Sequence, residues 1–347
     1  MPSPSRRLLA ACVCAAWLAM AQALQPAELA VVFNSGDADS VELALAYAGA
    51  RDIPAGNLVG VDLGTSDAVL GRAHFARVAA SVEQRLGDDI QALALAWTRP
   101  YRVGCMSITS AFAFGFDKRY CATGCQPTAA SPYLDSDSRR PFSDHGLRPA
   151  MLLAGPDPAT TRALIERGVA ADYTRPTGTA YLIITRDRNR NTRSLRFGLG
   201  KALFGARHDV RILTTPGIAA RQDVMFYFTG TRQVPYLDSL GFRPGAIADH
   251  LTSAGGVLDG TRQMNALAWI AAGATGTYGT VVEPCNYPQK FPDPVVVMGR
   301  YLGGDTLIEA YWKSVAWPGQ GLFVGEPLAR PFASAPGGSG SSGAAAR

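Results

Sequence analysis

The sequence predicts an α/β protein: a mainly parallel sheet with helices on both faces, in three layers. Three observations predict it. Short apolar runs alternate with segments of helical spacing along most of the chain. The first such run ends in Asn34-Ser35-Gly36 and leads through a helix to a second run, a βαβ unit. Residues 246–288 then read as a buried strand, a Gly-Gly turn, a helix and a strand ending in Glu283-Pro284-Cys285.

The elements follow in order. Leu29–Asn34 is the first strand. Asp39 or Ser40 is placed to cap the next helix, in which Val41, Leu43, Leu45 and Ala48 recur at helical spacing. Arg51-Asp52-Ile53-Pro54 ends it, and residues 58–63 form the second strand. A helix is expected over 75–86, strands over 92–97 and 151–154, a helix over 159–171, and strands over 181–185, 210–213 and 224–228. No internal repeat and no polar linker is visible, so residues 24–332 are expected to form a single domain. Residues 98–149 are the exception: rich in Ser, Gly, Pro and aromatics, without a period, and carrying Cys105, Cys121 and Cys125. Long loops of this kind are usually functional or disordered. Three cysteines point to a stapled insertion, bordering a site or serving stability alone.

The first residues bear on the compartment. Arg6 and Arg7 precede an apolar run over 8–20 and the small-x-small sequence Ala21-Gln22-Ala23, the pattern of a cleaved export leader over residues 1–23. The run is shorter than the roughly 20 apolar residues that span a bilayer, so an uncleaved anchor is the lesser reading. The chain is therefore expected to be exported, periplasmic or extracellular, with no transmembrane anchor after cleavage. Losing Arg6 and Arg7 lowers the net charge of +5 by two. That balance implies no nucleic-acid partner, and no basic run interleaves with aromatics. Residues 333–347 are Gly/Ser-rich and expected to be a flexible tail.

Cys12 and Cys14 lie in the leader, leaving Cys105, Cys121, Cys125 and Cys285. An even number in an oxidising compartment reads as disulfides, in any of three pairings. The alternatives are zinc, for which Cys121 and Cys125 lack a second closely spaced pair, and a nucleophilic Cys285, which would need a basic neighbour to form its thiolate. Only Lys290 is close in sequence.

Other chemistry is sparse. HExxH, GxSxG and GxxxxGK[ST] are all missing, which leaves zincin, α/β-hydrolase and P-loop readings without their parts. Neither a cofactor nor a metal site is expected. Asp37 and Asp39 follow the first strand and suit helix capping, with a cation as the alternative. Of the histidines (His74, His145, His208, His250), only His250 falls at a buried strand end. Alternation along an extended strand puts His250 and Thr252 on one face and Ser253 on the other. A direct His250–Ser253 proton relay, needing about 2.6–3.2 Å, is therefore disfavoured. Asp249, His250, Ser253 and Glu283 remain the candidate catalytic residues.

Four long segments carry a family resemblance: VVFNSGDADSVELALAYAGARDIPAGNL from Val31, HLTSAGGVL from His250, GATGTYGTVVEPCNYPQKFP from Gly273, and TLIEAYWKSVAWPGQGLFVGEPLARPF from Thr306. They resemble a family of exported bacterial proteins, without an established activity, found in species that carry the exosortase/PEP-CTERM sorting system. The chain lacks the Pro-Glu-Pro motif, terminal helix and basic stop of a sorted substrate. More distantly it is similar to gingipain-like cysteine peptidases of the caspase-type fold, which implies a caspase-like three-layer architecture. That resemblance places residues 225–231 where the His-Gly strand would stand, without its histidine, and Thr252 or Ser253 where the nucleophilic Cys would stand. It sets residues 303–310 in the late helix. Both members of the dyad are thus replaced, and hydroxyls are poor nucleophiles without an activating base.

The sequence leads to two functional expectations. The first is a non-catalytic binding or accessory protein of the envelope or of exosortase-linked export, with an envelope protein or peptide as partner. The second is a peptidase-like hydrolase with a rearranged site at the strand ends.

Overall fold

The structure, a computed structural model, describes residues 23–122, 124–260 and 262–335. Most of the expected leader, up to residue 22, and the tail from residue 336 lie outside the described residues. The first βαβ unit forms where the spacing predicts it. β1 (Leu29–Asn34) is buried over its first four residues. α1 (Ala38–Arg51) is capped by Asp37, which accepts from the Asp39 amide and satisfies one free donor of the first turn. Asp39 and Ser40, the caps expected ahead of Val41, lie inside that turn, because the helix starts a residue or two earlier than its apolar spacing. It stops at Asp52, in the left-handed region and two residues before Pro54. β2 (Leu58–Val61), α2 (Arg72–Glu83) and β3 (Ala92–Ala96) follow.

The aperiodic insertion is ordered. It holds a short hairpin, β4 (Arg102–Val103) with β5 (Met106–Ser107), and the helices α3 (Ile108–Phe114) and α4 (Pro141–His145). Ser107 caps α3 by accepting from the Ser110 amide at 3.0 Å. Six of the seven α3 residues are buried. A helix covered all round has no polar face, so no period marks it in the sequence. Cys105 bonds to Cys121 within the insertion, and Cys125 bonds to Cys285 across 160 residues.

The remainder comprises β6 (Ala150–Leu152), α5 (Pro158–Ala171), β7 (Thr179–Ile184), α6 (Phe197–Phe204), β8 (Asp209–Thr214), β9 (Val224–Gly230), β10 (Phe242–Leu251), α7 (Leu267–Ala272), β11 (Gly276–Thr280), α8 (Pro294–Leu302), α9 (Leu307–Trp312) and β12 (Gly321–Gly325). α7, the helix expected within residues 246–288, is only six residues long. Asn265 donates to the Leu258 carbonyl and accepts from the Leu267 amide, which holds its neighbours in a loop.

One ten-stranded sheet runs in the order β2-β1-β3-β6-β12-β11-β10-β9-β7-β8. Every pair is parallel except β11 with β12. The sheet is thus two parallel blocks of opposite sense, joined at that pair. Within each block the second strand in chain order lies outside the first and the third lies inside it: β2-β1-β3 and β8-β7-β9. The order repeats where the sequence shows no repeat. α1, α5 and α7 cover one face, while α2, α3, α6, α8 and α9 cover the other. Alternation along β10 divides the interior accordingly. Ile247 and Leu251 enter the larger apolar core, and Ala248 enters a smaller one with Tyr181, Tyr227 and Trp269.

Candidate functional site

The four candidate catalytic residues do not form one constellation. His250 is 1 % exposed and both of its ring nitrogens are engaged. Trp269 Nε1 donates to Nδ1 at 2.9 Å, so the proton sits on Nε2, which lies 3.0 Å from the Met264 carbonyl. Burial pushes the imidazole pKa down to about 4. No nitrogen is left for Ser253, whose carbonyl accepts from Thr280 Oγ1 at 3.2 Å. Asp249, on the other face of β10, is wholly buried and lies 2.6 Å from Arg193 Nη1. Burial raises its pKa against the opposing charge of Arg193. Glu283 is exposed and accepts from the Cys285 amide at 2.7 Å. Cys285 itself is held in a disulfide.

The crevice at the carboxyl ends of the second block is occupied by its own chain. Ligands in open α/β sheets bind where the strand order reverses, here between β7 and β9. The segment after β7 folds back over that point. A methyl group at Gly230 would overlap the Arg190 carbonyl, which shows how closely the segment presses on β9. Arg190 Nε donates to Thr252 Oγ1 at 3.1 Å, and Thr252 donates to Gln263 Oε1 at 2.7 Å. Arg193 enters the interior, donating to the carbonyls of Thr229 (3.0 Å) and Pro292 (3.2 Å) beside Asp249.

The corresponding place in the first block is open. A cleft of about 830 Å³ lies at the carboxyl ends of β1, β2, β3 and β6, over the reversal between β1 and β3. Ser40, in the first turn of α1, pins its floor. Its Oγ accepts from the Asn34 amide at 2.8 Å and donates to the Ala96 carbonyl at 2.5 Å, joining the ends of both strands. Ser35 Oγ donates to the Val61 carbonyl, which adds β2. The far end of α1 is fixed by the buried Arg51, paired with Glu326 just after β12 and with Asp172. The N-terminus of α5 forms the opposite wall, where Asp157 accepts from the Thr160 amide and hydroxyl, each at 2.8 Å. Those bonds hold the Asp157 carboxyl below its ordinary pKa.

The cleft is acidic. Asp37, Asp39, Glu42, Asp62 and Asp157 line it against Arg99 and Arg162. Arg162 pairs with Glu42, while Arg99 lies 3.8 Å from Asp259, outside the cleft. Asp37 and Asp157 serve as helix caps. Among the described residues Asp39 and Asp62 have no basic partner, and both are exposed. Among the described residues no three His, Cys, Asp or Glu side chains are arranged to hold a metal ion.

Sequence reasoning drew all four candidate catalytic residues from 246–288, yet no lining residue of this cleft comes from there. It singled out Asp37 and Asp39 and missed Glu42, Asp62, Arg99, Asp157 and Arg162. The signal was available: Asn34-Ser35-Gly36-Asp37 after β1 and Gly155-Pro156-Asp157-Pro158 before α5 are small polar strand ends feeding helix caps.

The fold and site define a doubly wound α/β protein with one open, acidic strand-end cleft. No family model, curated protein or solved structure matches the chain.

Proposed function

We propose that this chain is an exported binding or accessory protein of the bacterial envelope, and that its ligand site is the cleft between α1 and α5. The open reversal point of the first block is the observation that carries the reading. Its unpaired carboxylates favour a ligand that presents cationic groups, and a cleft open to solvent suits a basic peptide segment. Export is supported by the leader pattern and the two disulfides. Among the described residues no helix is long and apolar enough to cross a membrane. The link to exosortase-carrying bacteria and the caspase-type ancestry rest on resemblance alone.

The hydrolase alternative has less support. His250 is fully bonded in the interior, Asp249 faces away from it, and Cys285 is a half-cystine. Titration with Lys/Arg-rich and Asp/Glu-rich peptides tests the proposal. The basic set binds, more weakly as salt screens the cleft, and Asp39→Asn with Asp62→Asn weakens it by about tenfold. Equal affinity for both sets, or peptide turnover abolished by Ser253→Ala, overturns it.

A further inference from the structure

Leu24 is the first residue after Ala21-Gln22-Ala23, and in the folded chain it is not a loose end. It is 1 % exposed, and its backbone nitrogen donates to Glu309 Oε2 at 3.2 Å. Its carbonyl accepts from Arg330 Nη1 at 3.3 Å. Glu309, in α9, is also 1 % exposed. Its Oε2 takes the amide and the hydroxyl of Thr306, at 2.9 and 2.6 Å, whereas its Oε1 has no hydrogen-bond partner among the described residues.

The basic groups nearby are already engaged. Lys313 lies 2.7 Å and Arg139 3.2 Å from Asp305, and among the described residues no basic side chain pairs directly with Glu309. A buried carboxylate without a counter-ion and with one free oxygen is costly. Burial and the neighbouring Asp305 push its pKa up, against the charge of Lys313 and the Thr306 hydrogen bonds.

We propose that the Ala23–Leu24 peptide bond is the maturation site of this protein, and that the α-ammonium released there is the buried counter-ion of Glu309. Cleavage is a hydrolysis by a leader peptidase during export. The carbon–nitrogen bond breaks, the oxygen of a water molecule joins the Ala23 carbonyl as a carboxylate, and both protons of that water end on the Leu24 nitrogen. A backbone amide offers Glu309 one neutral donor. The ammonium offers three donors and a full charge, enough to serve Oε1 as well as Oε2. Maturation then completes a buried ion pair between the start of the chain and α9, and Arg330 holds Leu24 in register through its carbonyl.

The test compares the exported chain beginning at Leu24 with one that retains Ala23 as its first residue, each with and without Glu309→Gln. Intact mass of the exported protein gives a start at Leu24. The Leu24 chain melts on the order of 5–10 °C above the Ala23 chain, and Glu309→Gln removes most of that gap. A start elsewhere, equal melting temperatures, or a gap that survives Glu309→Gln overturns the proposal. Should Glu309→Gln fail to fold, amine acylation decides. The Leu24 amine of the native chain resists an acylating reagent and reacts on unfolding, and rapid acylation of the native chain overturns the proposal.

Discussion

The two parallel blocks share a strand order and use their reversal points in opposite ways. In the first, the chain leaves β1 through Ser35-Gly36 and β6 through Gly155-Pro156 into the helix caps Asp37 and Asp157, and an acidic cleft stays open above them. In the second, β7 is followed by an Arg-rich segment that covers the end of β9 and drives Arg193 against Asp249. The difference teaches that strand order marks where a site can be, while the residues after the first strand decide whether the place is open. A buried Arg–Asp pair fastens the closed block. Exposed carboxylates leave the other one charged and accessible.

The largest expected effect concerns how the closed end is stapled. Cys125–Cys285 ties the insertion of the first block to the segment after β11, across 160 residues. Replacing both by Ser should cost up to about 5 kcal/mol, against about 3 kcal/mol for Cys105 and Cys121, whose loop is 16 residues. Urea unfolding of the two double variants checks the order. Equal losses would show that the second block is not specially held.

Arg193→Met comes next. It strands Asp249 in the interior and leaves the Thr229 and Pro292 carbonyls without their donors. Breaking a buried pair by removing one partner typically costs about 3–5 kcal/mol. Adding Asp249→Leu should recover much of the loss, since no charge is then left buried. A neutral Arg193→Met would break the comparison, because the segment over β9 would not be fastened by that pair.

His250 sharpens it through pH. The folded imidazole has a depressed pKa of about 4, against about 6.5 when unfolded. Between those values the unfolded chain binds the extra proton. The stability from neutral His250 is therefore complete above about pH 6.5 and lost as pH falls towards 4. The amount at stake is roughly 3 kcal/mol. Urea midpoints measured across that range should fall more steeply in the parent than in His250→Gln. Parallel slopes would mean that His250 titrates normally and is reachable by solvent, reopening the question of its role.

How much of this was legible in the sequence follows from what each residue needs around it. The βαβ unit was, because apolar runs and caps are local signals: Asp37 does cap α1. The buried reading of His250 was also within reach, since its strand is apolar on both sides. The repeat of strand order was not, because topology depends on pairings distant in sequence. α3 was hidden for lack of a polar face, and β12 because its GLFVG run carries no alternation. The cleft was half legible. Its cap residues could be named, but its walls come together only when β6 lies beside β3, bringing Asp157 towards Asp37. Residues 246–288 carry the same local strand-turn-helix signal, and nothing local shows that the segment after β7 covers it.

The smallest effect on stability belongs to the open block, and it separates binding from scaffolding most cleanly. Asp39 and Asp62 are exposed, and among the described residues the Asp62 carboxylate accepts only from the nearby Gly64 amide, a bond that Asn can keep. Asp39→Asn and Asp62→Asn should each shift unfolding by no more than about 0.5 kcal/mol, as surface changes of this kind do. The same pair of substitutions is expected to weaken basic-peptide binding, whereas Arg193→Met destabilises the fold and leaves the cleft carboxylates in place. Calorimetry on both variants reads the two effects side by side. If the Asp pair destabilised as much as Arg193→Met does, the acidic residues would be structural and the open block would be no more of a site than the closed one. If they left both stability and peptide binding untouched, the cleft would remain open while its charge recognised nothing.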